Sequence, residues 1–332
     1  MKTSPFKRFG FWLGGCAVAV AGLASSPVQA ADAASFPTGP LTMVVPYPPG
    51  GPTDLVSRGV AMAMADVIGK PVVVDNKAGA SGMIGAGQVA RSAPDGYTFL
   101  ANASLHVINP HIYKTMQYDS FNDFVPITQL AAVPLVLVVP KDSPVKTVAD
   151  VVALAKSRSG GLNFGSAGTA SAQHLSSELL KELARIPMEH VPYKGSAPAL
   201  TDLVGGQLDL MFDSMPSAMP FIKSGQLRAI AVTTPQRVSV LPDVPTVAES
   251  GYPTFDTSTW YALWAPKGTP EAIVEKLAGF AQKALKDPKV VEQYKAMGAE
   301  PVGSSPADFA KYVRSEGEKW GKLVQLANVP KQ

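Results

Sequence analysis

The chain of 332 residues has one cysteine, Cys16, and four histidines. Cys16 lies in a segment with the make-up of an export leader. Lys2, Lys7 and Arg8 precede an almost wholly apolar run over residues 9–24, and Val28-Gln29-Ala30 supplies a small-x-small cleavage pattern. The run is too short for a membrane anchor, and Leu13-Gly14-Gly15-Cys16 sits too early in it for a lipoprotein box. Residues 1–30 are therefore expected to be removed. The exported chain then has no thiol, which excludes disulfides, cysteine nucleophiles and cysteine-ligated zinc. His106, His111, His174 and His190 make no His-x-x-x-His pair, so no metal is expected. A Gly-x-Ser-x-Gly elbow and a Gly-x-x-x-x-Gly-Lys-Ser/Thr phosphate loop are also missing. Charge of one sign is missing too. The 29 Lys+Arg less Lys2, Lys7 and Arg8 leave 26, against 26 Asp+Glu, so the exported chain has no net charge. Nothing in it favours nucleic acid or an anionic membrane as partner.

What is present is an alternation of strands and helices joined by small-residue turns. Leu41-Thr42-Met43-Val44-Val45 reads as a buried strand, and Val56, Val60, Ala63, Met64 and Val67 recur at helical spacing after it. Between them, Tyr47-Pro48-Pro49-Gly50-Gly51-Pro52-Thr53-Asp54 combines glycines in a tight turn with helix-start residues. Such a turn bares amides at a helix N-terminus, where an anion is held without a charged side chain. The same sequence also fits an ordinary strand-to-helix turn. Strands follow at 71–75 and 97–101, with helices at 83–91 and from Ser104. Later strands are expected at 135–139, 162–164, 188–191, 208–212, 227–233 and 259–265, and helices at 148–156, 170–185, 197–204 and 215–223. The helix at 170–185 should bury Leu175, Leu179, Leu183 and Ile186, and two amphipathic helices, 271–286 and 306–327, close the chain. This order implies parallel sheets with ligands at the carboxyl ends of the strands. The two most apolar strands, 135–139 and 260–265, read as crossings between two α/β lobes. Lobe 1 is residues 36–138 with 262–332, and lobe 2, residues 139–261, is inserted into it.

Four turns offer amides and hydroxyls: Gly50-Gly51, Ser81-Gly82, Ser104, and Ser166 to Thr169. Lys77, Arg91 and Lys194 are the basic residues nearest them in sequence. A carboxylate fits this chemistry, held with little formal charge. Asp213, at a strand end, suits an amine, a hydroxyl or an ordered water on the ligand, or else a capping role. Trp260 and Tyr261 are expected to pack the lobe crossing. Gly79-x-x-Gly82-x-x-Gly85-x-Gly87 follows a strand, but its spacing is too loose to assign a dinucleotide. An enzyme reading is also available, with His174 and Asp213 as acid–base residues on a carboxylated substrate.

The turn at residues 47–54, Val-Val-Val-Asp-Asn-Lys-Ala-Gly-Ala-Ser-Gly at 72–82 and Pro-Asp-Gly-Tyr-Thr at 94–98 resemble the tripartite tricarboxylate transporter receptors. These are the TctC-like, or Bordetella uptake gene (Bug), solute-binding proteins. Residues 163–169, 192–196, 200–213, 225–237 and 241–251 agree in the same order, and Lys77-Ala78 stands where the family commonly has Arg-Pro. The resemblance implies a two-lobed periplasmic-binding-protein fold of the type II kind. It also implies no catalysis, no cofactor, a small organic acid as ligand, delivery to a membrane permease, and a monomer. Carried onto matching positions, the family's ligand contacts fall on Tyr47, Gly50, Gly51, Asp54, Ser81, Ser104, Ser166, Gly168, Thr169 and Asp213. A role as ligand sensor for a membrane kinase stays open beside transport.

Overall fold

The computed structural model describes residues 34–331. The expected leader, residues 1–30, lies outside them. The first half of the chain runs β1 (Leu41–Val45), α1 (Pro52–Ile68), β2 (Val72–Asn76), α2 (Met83–Ala90), β3 (Thr98–Ala103), α3 (Leu105–Ile112) and β4 (Phe124–Pro140). It continues through α4 (Val148–Ser157), β5 (Leu162–Ser166), α5 (Ala172–Ala184), β6 (Met188–Pro192), α6 (Ser196–Val204), β7 (Leu210–Ser214), α7 (Met215–Lys223) and β8 (Leu227–Val232). The last part is β9 (Ser258–Pro266), α8 (Glu271–Ala284), α9 (Pro288–Ala296), β10 (Glu300–Pro301) and α10 (Pro306–Leu326).

Two parallel trios form the hearts of two lobes. In one, β1 pairs with β2 and β3, bringing Val44 opposite both Asp75 and Leu100. In the other, β5 pairs with β6 and β7. The long strands β4 and β9 join them antiparallel to their neighbours. From Phe124 to Pro134, β4 pairs with β9, while from Leu135 onward it pairs with β7 and β8. On its other side β9 pairs with β3, Leu100 opposite Trp264. One strand thus serves both lobes, and its side chains alternate between two cores. Val136 and Val138 enter one core, and Leu135, Leu137 and Val139 the other. That is why 135–139 is apolar at every position.

Three expectations need correction. The apolar core of β4 was legible, but the strand starts at Phe124, eleven residues earlier; Pro126 and Pro134 interrupt the pattern there. The helix α9 was not expected. It starts at Pro288 with Asp287 as its cap, and buries only Val290 and Tyr294. In α5, Leu175 and Ile186 are buried as expected, but Leu179 is half-buried and Leu183 is 38% exposed. The buried face turns instead through Gln173, Ser176, Ser177 and Leu180. α5 packs onto β7 and α10, and the hydroxyls on this buried face have partners: Ser176 donates to Thr257 at 2.8 Å and Ser177 to the Gln173 carbonyl at 3.0 Å.

Candidate functional site

The turn after β1 is clasped from behind by Asp54. Gly50 has φ +80°, a conformation open to glycine at no steric cost, and Gly51 caps α1 with Pro52 in the first helical position. Asp54, 2% exposed, accepts the Gly50 amide at 2.9 Å, the Arg58 Nε at 2.8 Å and the Asn76 amide at 2.9 Å. Burial works to raise the Asp54 carboxyl. The bonds from Arg58, Gly50 and Asn76 together outweigh it and hold the group below the usual carboxylate range. Asn76 also donates to the Tyr47 carbonyl at 3.0 Å, so the turn is fixed at both ends.

Opposite this turn, the second lobe presents the starts of α5, α6 and α7. The space between is a cavity of about 570 Å³. Tyr47, Gly50, Gly51 and Thr53 line it from the first lobe, with Ser104, Thr259 and Tyr261 from the strand ends at the crossing. Ser171, Gln173, Ser196, Ser217 and Phe221 line it from the second. Lys194 is the one charged side chain on this wall among the described residues. First-turn amides of α1, α5 and α6 thus border one cavity, and such amides have no carbonyl partner within their own helix.

Of the ten residues onto which ligand contacts were carried, Tyr47, Gly50, Gly51 and Ser104 lie on this wall. The other six are not among its lining residues. Asp54 shapes the turn as described. Ser81 bonds the Tyr113 hydroxyl at 2.7 Å and its carbonyl accepts from Asn109, which ties its turn to α3. The neighbouring Gly82 has φ +83°, and a Cβ there would sit 3.1 Å from the Tyr47 hydroxyl. Ser166 accepts the Gly168 amide at 3.1 Å and lies 2.7 Å from His190 Nε2. It braces the loop that carries Ala167 and Ser171 to the wall, and Gly168 and Thr169 are half-buried within that loop. Asp213 is wholly buried beneath the wall. It accepts the hydroxyls of Ser196 and Ser217, each at 2.6 Å, and the Gln173 amide at 3.4 Å. Burial raises its carboxyl, an effect these bonds offset only in part.

Gln173, Ser196, Ser217 and Thr259 were not named from sequence. Ser217 had a legible signal, lying four residues after Asp213 at the start of a helix, where a side chain reaches back. Trp260 packs as expected, against Trp264, Phe309 and Tyr312, whereas Tyr261 also reaches the cavity. His174 does not line the cavity. Its Nδ1 accepts the Ala170 amide at 3.0 Å and its ring stacks on His190. Burial lowers its pKa to about 3, and that of His190 to about 4.

Residues 56–329 match the family model described as the tripartite tricarboxylate transporter family receptor. The chain belongs to that family. It is 42% identical over 313 residues to the UPF0065 protein in the tcbD-tcbE intergenic region of Pseudomonas sp. (strain P51), covering 94% of this chain and 92% of the relative. Among solved structures it is similar to the periplasmic binding protein BugD, with a TM-score of 0.81, 39% identity, and coverage of 90% of this chain and all of that one. It is also similar to R. palustris Rpa4515 with adipate, with a TM-score of 0.84, 38% identity and coverage of 90% and 100%. The two-lobed periplasmic-binding-protein fold is that of this receptor family, and the cavity lies where its two lobes face each other.

Proposed function

We propose that this receptor captures a small organic carboxylate between its lobes in the periplasm and hands it to the membrane permease of a tripartite tricarboxylate-type transporter, without chemical change. One observation carries the reading. The cavity is bordered by helix-start amides from both lobes, with, among the described residues, a single cationic side chain and no side-chain carboxylate on its wall. Amides and dipoles of this kind favour an anion while keeping formal charge low, which suits capture followed by release. The relative solved with adipate supports a carboxylate as ligand class. The acid–base alternative loses support because His174 is not among the residues lining the cavity and Asp213 is already occupied by serine hydroxyls.

In this reading residues 1–30 are removed at export, residues 36–138 with 262–332 move against residues 139–261, and β4 and β9 are the crossings about which they close. The protein works as a monomer without cofactor. Tyr47, Gly50, Gly51 and Ser104 meet the ligand; Asp54, Ser81, Ser166, Gly168, Thr169 and Asp213 hold the contacting groups in place. The test is calorimetric titration of periplasmic protein with a panel of mono-, di- and tricarboxylates, with recovery of the compound afterwards. A narrow group of acids should bind at micromolar or better affinity and come back unchanged, and a saturating acid should raise Tm by several degrees. Turnover of the acid, or binding of none after dialysis from denaturant, sinks the reading.

A further inference from the structure

Counting the hydroxyl protons around the cavity separates the groups that can donate to a ligand from those that can only accept. Each serine or tyrosine hydroxyl has one proton to donate and lone pairs that accept. Ser196 and Ser217 both spend that proton on Asp213, one on each carboxylate oxygen, at 2.6 Å. This is the length of a charge-assisted bond to an ionised carboxylate, which can only accept. The Ser217 hydroxyl also lies 2.9 Å from the Ser214 carbonyl, a second acceptor on the same side. Tyr47 spends its proton on Asn102 Oδ1 at 2.9 Å. All three residues line the cavity, their hydroxyls have only lone pairs left to offer, and Gln173 Nε2 lies 3.4 Å from that of Ser196.

Donors stand on both lobes of the wall. The amides of Gly51 and Thr53 open α1, and Lys194 carries an ammonium. Ser104 and Thr259 share one bond of 3.2 Å between two protons, so one proton remains for a ligand. A carboxylate is satisfied by that set and repelled by the lone pairs of Ser196 and Ser217. Asp213 itself cannot take the ligand's donor, because it is wholly buried and surrounded by its own partners.

We infer that the ligand is a carboxylate that also carries an O–H or N–H donor, with the carboxylate on the α1 side and the donor accepted by Ser196 and Ser217. The inference rests on the carboxylate-receptor reading and narrows it. A buried acceptor left without a partner weakens binding by more than a matched pair strengthens it, so an acid lacking the donor is discriminated against, as is one with an ether in its place.

Matched acids decide the matter. Protein prepared from the periplasm of cells expressing the full chain is dialysed and titrated with three series. One is 3-hydroxy-, 3-amino-, 3-methoxy- and unsubstituted butyrate, the second malate, aspartate, O-methylmalate and succinate, and the third 4-hydroxy-, 4-methoxy- and unsubstituted benzoate. In the series that fits, the donor-bearing acid should bind at least tenfold tighter than both its methoxy and its unsubstituted counterparts. The hydroxy and amino members identify which donor is used. Asp213→Asn turns one amide N–H toward a serine and frees that serine's proton for the cavity, so the preference should shrink several-fold. Ser217→Ala, which removes one acceptor together with its bond to Asp213, gives the same direction. If unsubstituted acids bind as tightly as their donor-bearing partners in each series that binds, the inference is wrong and the receptor reading stands. If no acid in any series binds, the receptor reading is wrong and the inference falls with it.

Discussion

The imidazoles of His174 and His190 stack with their ring centroids 3.7 Å apart and 15° between their planes. Two rings this close cannot both be charged cheaply, and burial already holds their pKa values to about 3 and about 4. His106, fully buried among Tyr118, Phe124 and Trp264, is likewise lowered to about 3.

These lowered pKa values set a pH dependence. Unfolded histidines take protons as pH falls through about 6.5, while the folded ones stay neutral until about 4. The unfolded state then binds more protons, so the stability these groups contribute is present above 6.5 and lost on the way down to 3–4. The loss should be on the order of several kcal/mol, because folding against a tenfold difference in proton affinity is worth about 1.4 kcal/mol. Carboxylates held below their usual range, Asp54 among them, act separately, below about pH 4. Urea midpoints measured from pH 7.5 to 4.5 should fall throughout, and His174→Gln, which keeps an acceptor for the Ala170 amide, should flatten the slope. A flat wild-type profile would show that these rings are not buried as described.

Glu316 ties α10 to the crossing strand. It is 4% exposed, and one of its oxygens accepts the indole N–H groups of both Trp260 and Trp320, at 2.8 and 2.9 Å. Its other oxygen pairs with Lys319. Glu316→Ala leaves two buried indole donors unpartnered, at a cost of about 3–5 kcal/mol, whereas Glu316→Gln keeps an acceptor and should cost about 1–2 kcal/mol. Urea unfolding followed by tryptophan emission distinguishes the two. Equal costs would mean that the indole bonds contribute nothing beyond packing.

What the sequence made legible was chemistry local to one turn. Gly50-Gly51-Pro52-Thr53-Asp54 announces a glycine turn and a helix start in five consecutive residues, and β1 and α1 lie where that pattern puts them. The apolar run at 135–139 was legible because every side chain there is buried, on alternating faces. The second wall was not. Gln173, Ser196 and Ser217 start three different helices and meet only because β5, β6 and β7 are neighbours in one sheet. Their common partner is Asp213, and no periodicity within a single element records a partner held in another. Asp213 and Ser166, which the family resemblance also places among the ligand contacts, are buried and bonded to groups of the same lobe rather than among the residues lining the cavity. A polar residue at a strand end looks the same in sequence whether it faces the ligand or the residue beside it.

Asp54 gives the clearest case of a residue acting through another. Its removal releases the Gly50 amide, Arg58 and Asn76 together, and Asn76 also holds the Tyr47 carbonyl. Asp54→Ala should therefore lower stability by about 2–4 kcal/mol. It should also weaken ligand binding at least tenfold at temperatures where the variant stays folded. Asp54→Asn keeps an acceptor for the Gly50 amide but loses the charge on Arg58, and should fall between the two. If Asp54→Ala binds as the wild type does, the turn holds its shape without the clasp.

Lys194 separates electrostatic attraction from the fold. It lies on the cavity wall yet is exposed, immediately before the Gly195 cap of α6. An exposed ammonium in high dielectric contributes modestly and is screened by salt, so Lys194→Met should weaken carboxylate binding about three- to tenfold at low ionic strength. At about 0.5 M salt, where the Debye length is only a few ångströms, the difference between the two proteins should nearly vanish. Stability should stay within about 0.5 kcal/mol of wild type, because no buried contact is lost. Lys194→Glu places a like charge beside the ligand and should weaken binding further, with the opposite salt dependence. If Lys194→Met leaves both affinity and its salt dependence unchanged, helix-start amides and hydroxyls alone hold the carboxylate, and the ammonium faces solvent in the complex.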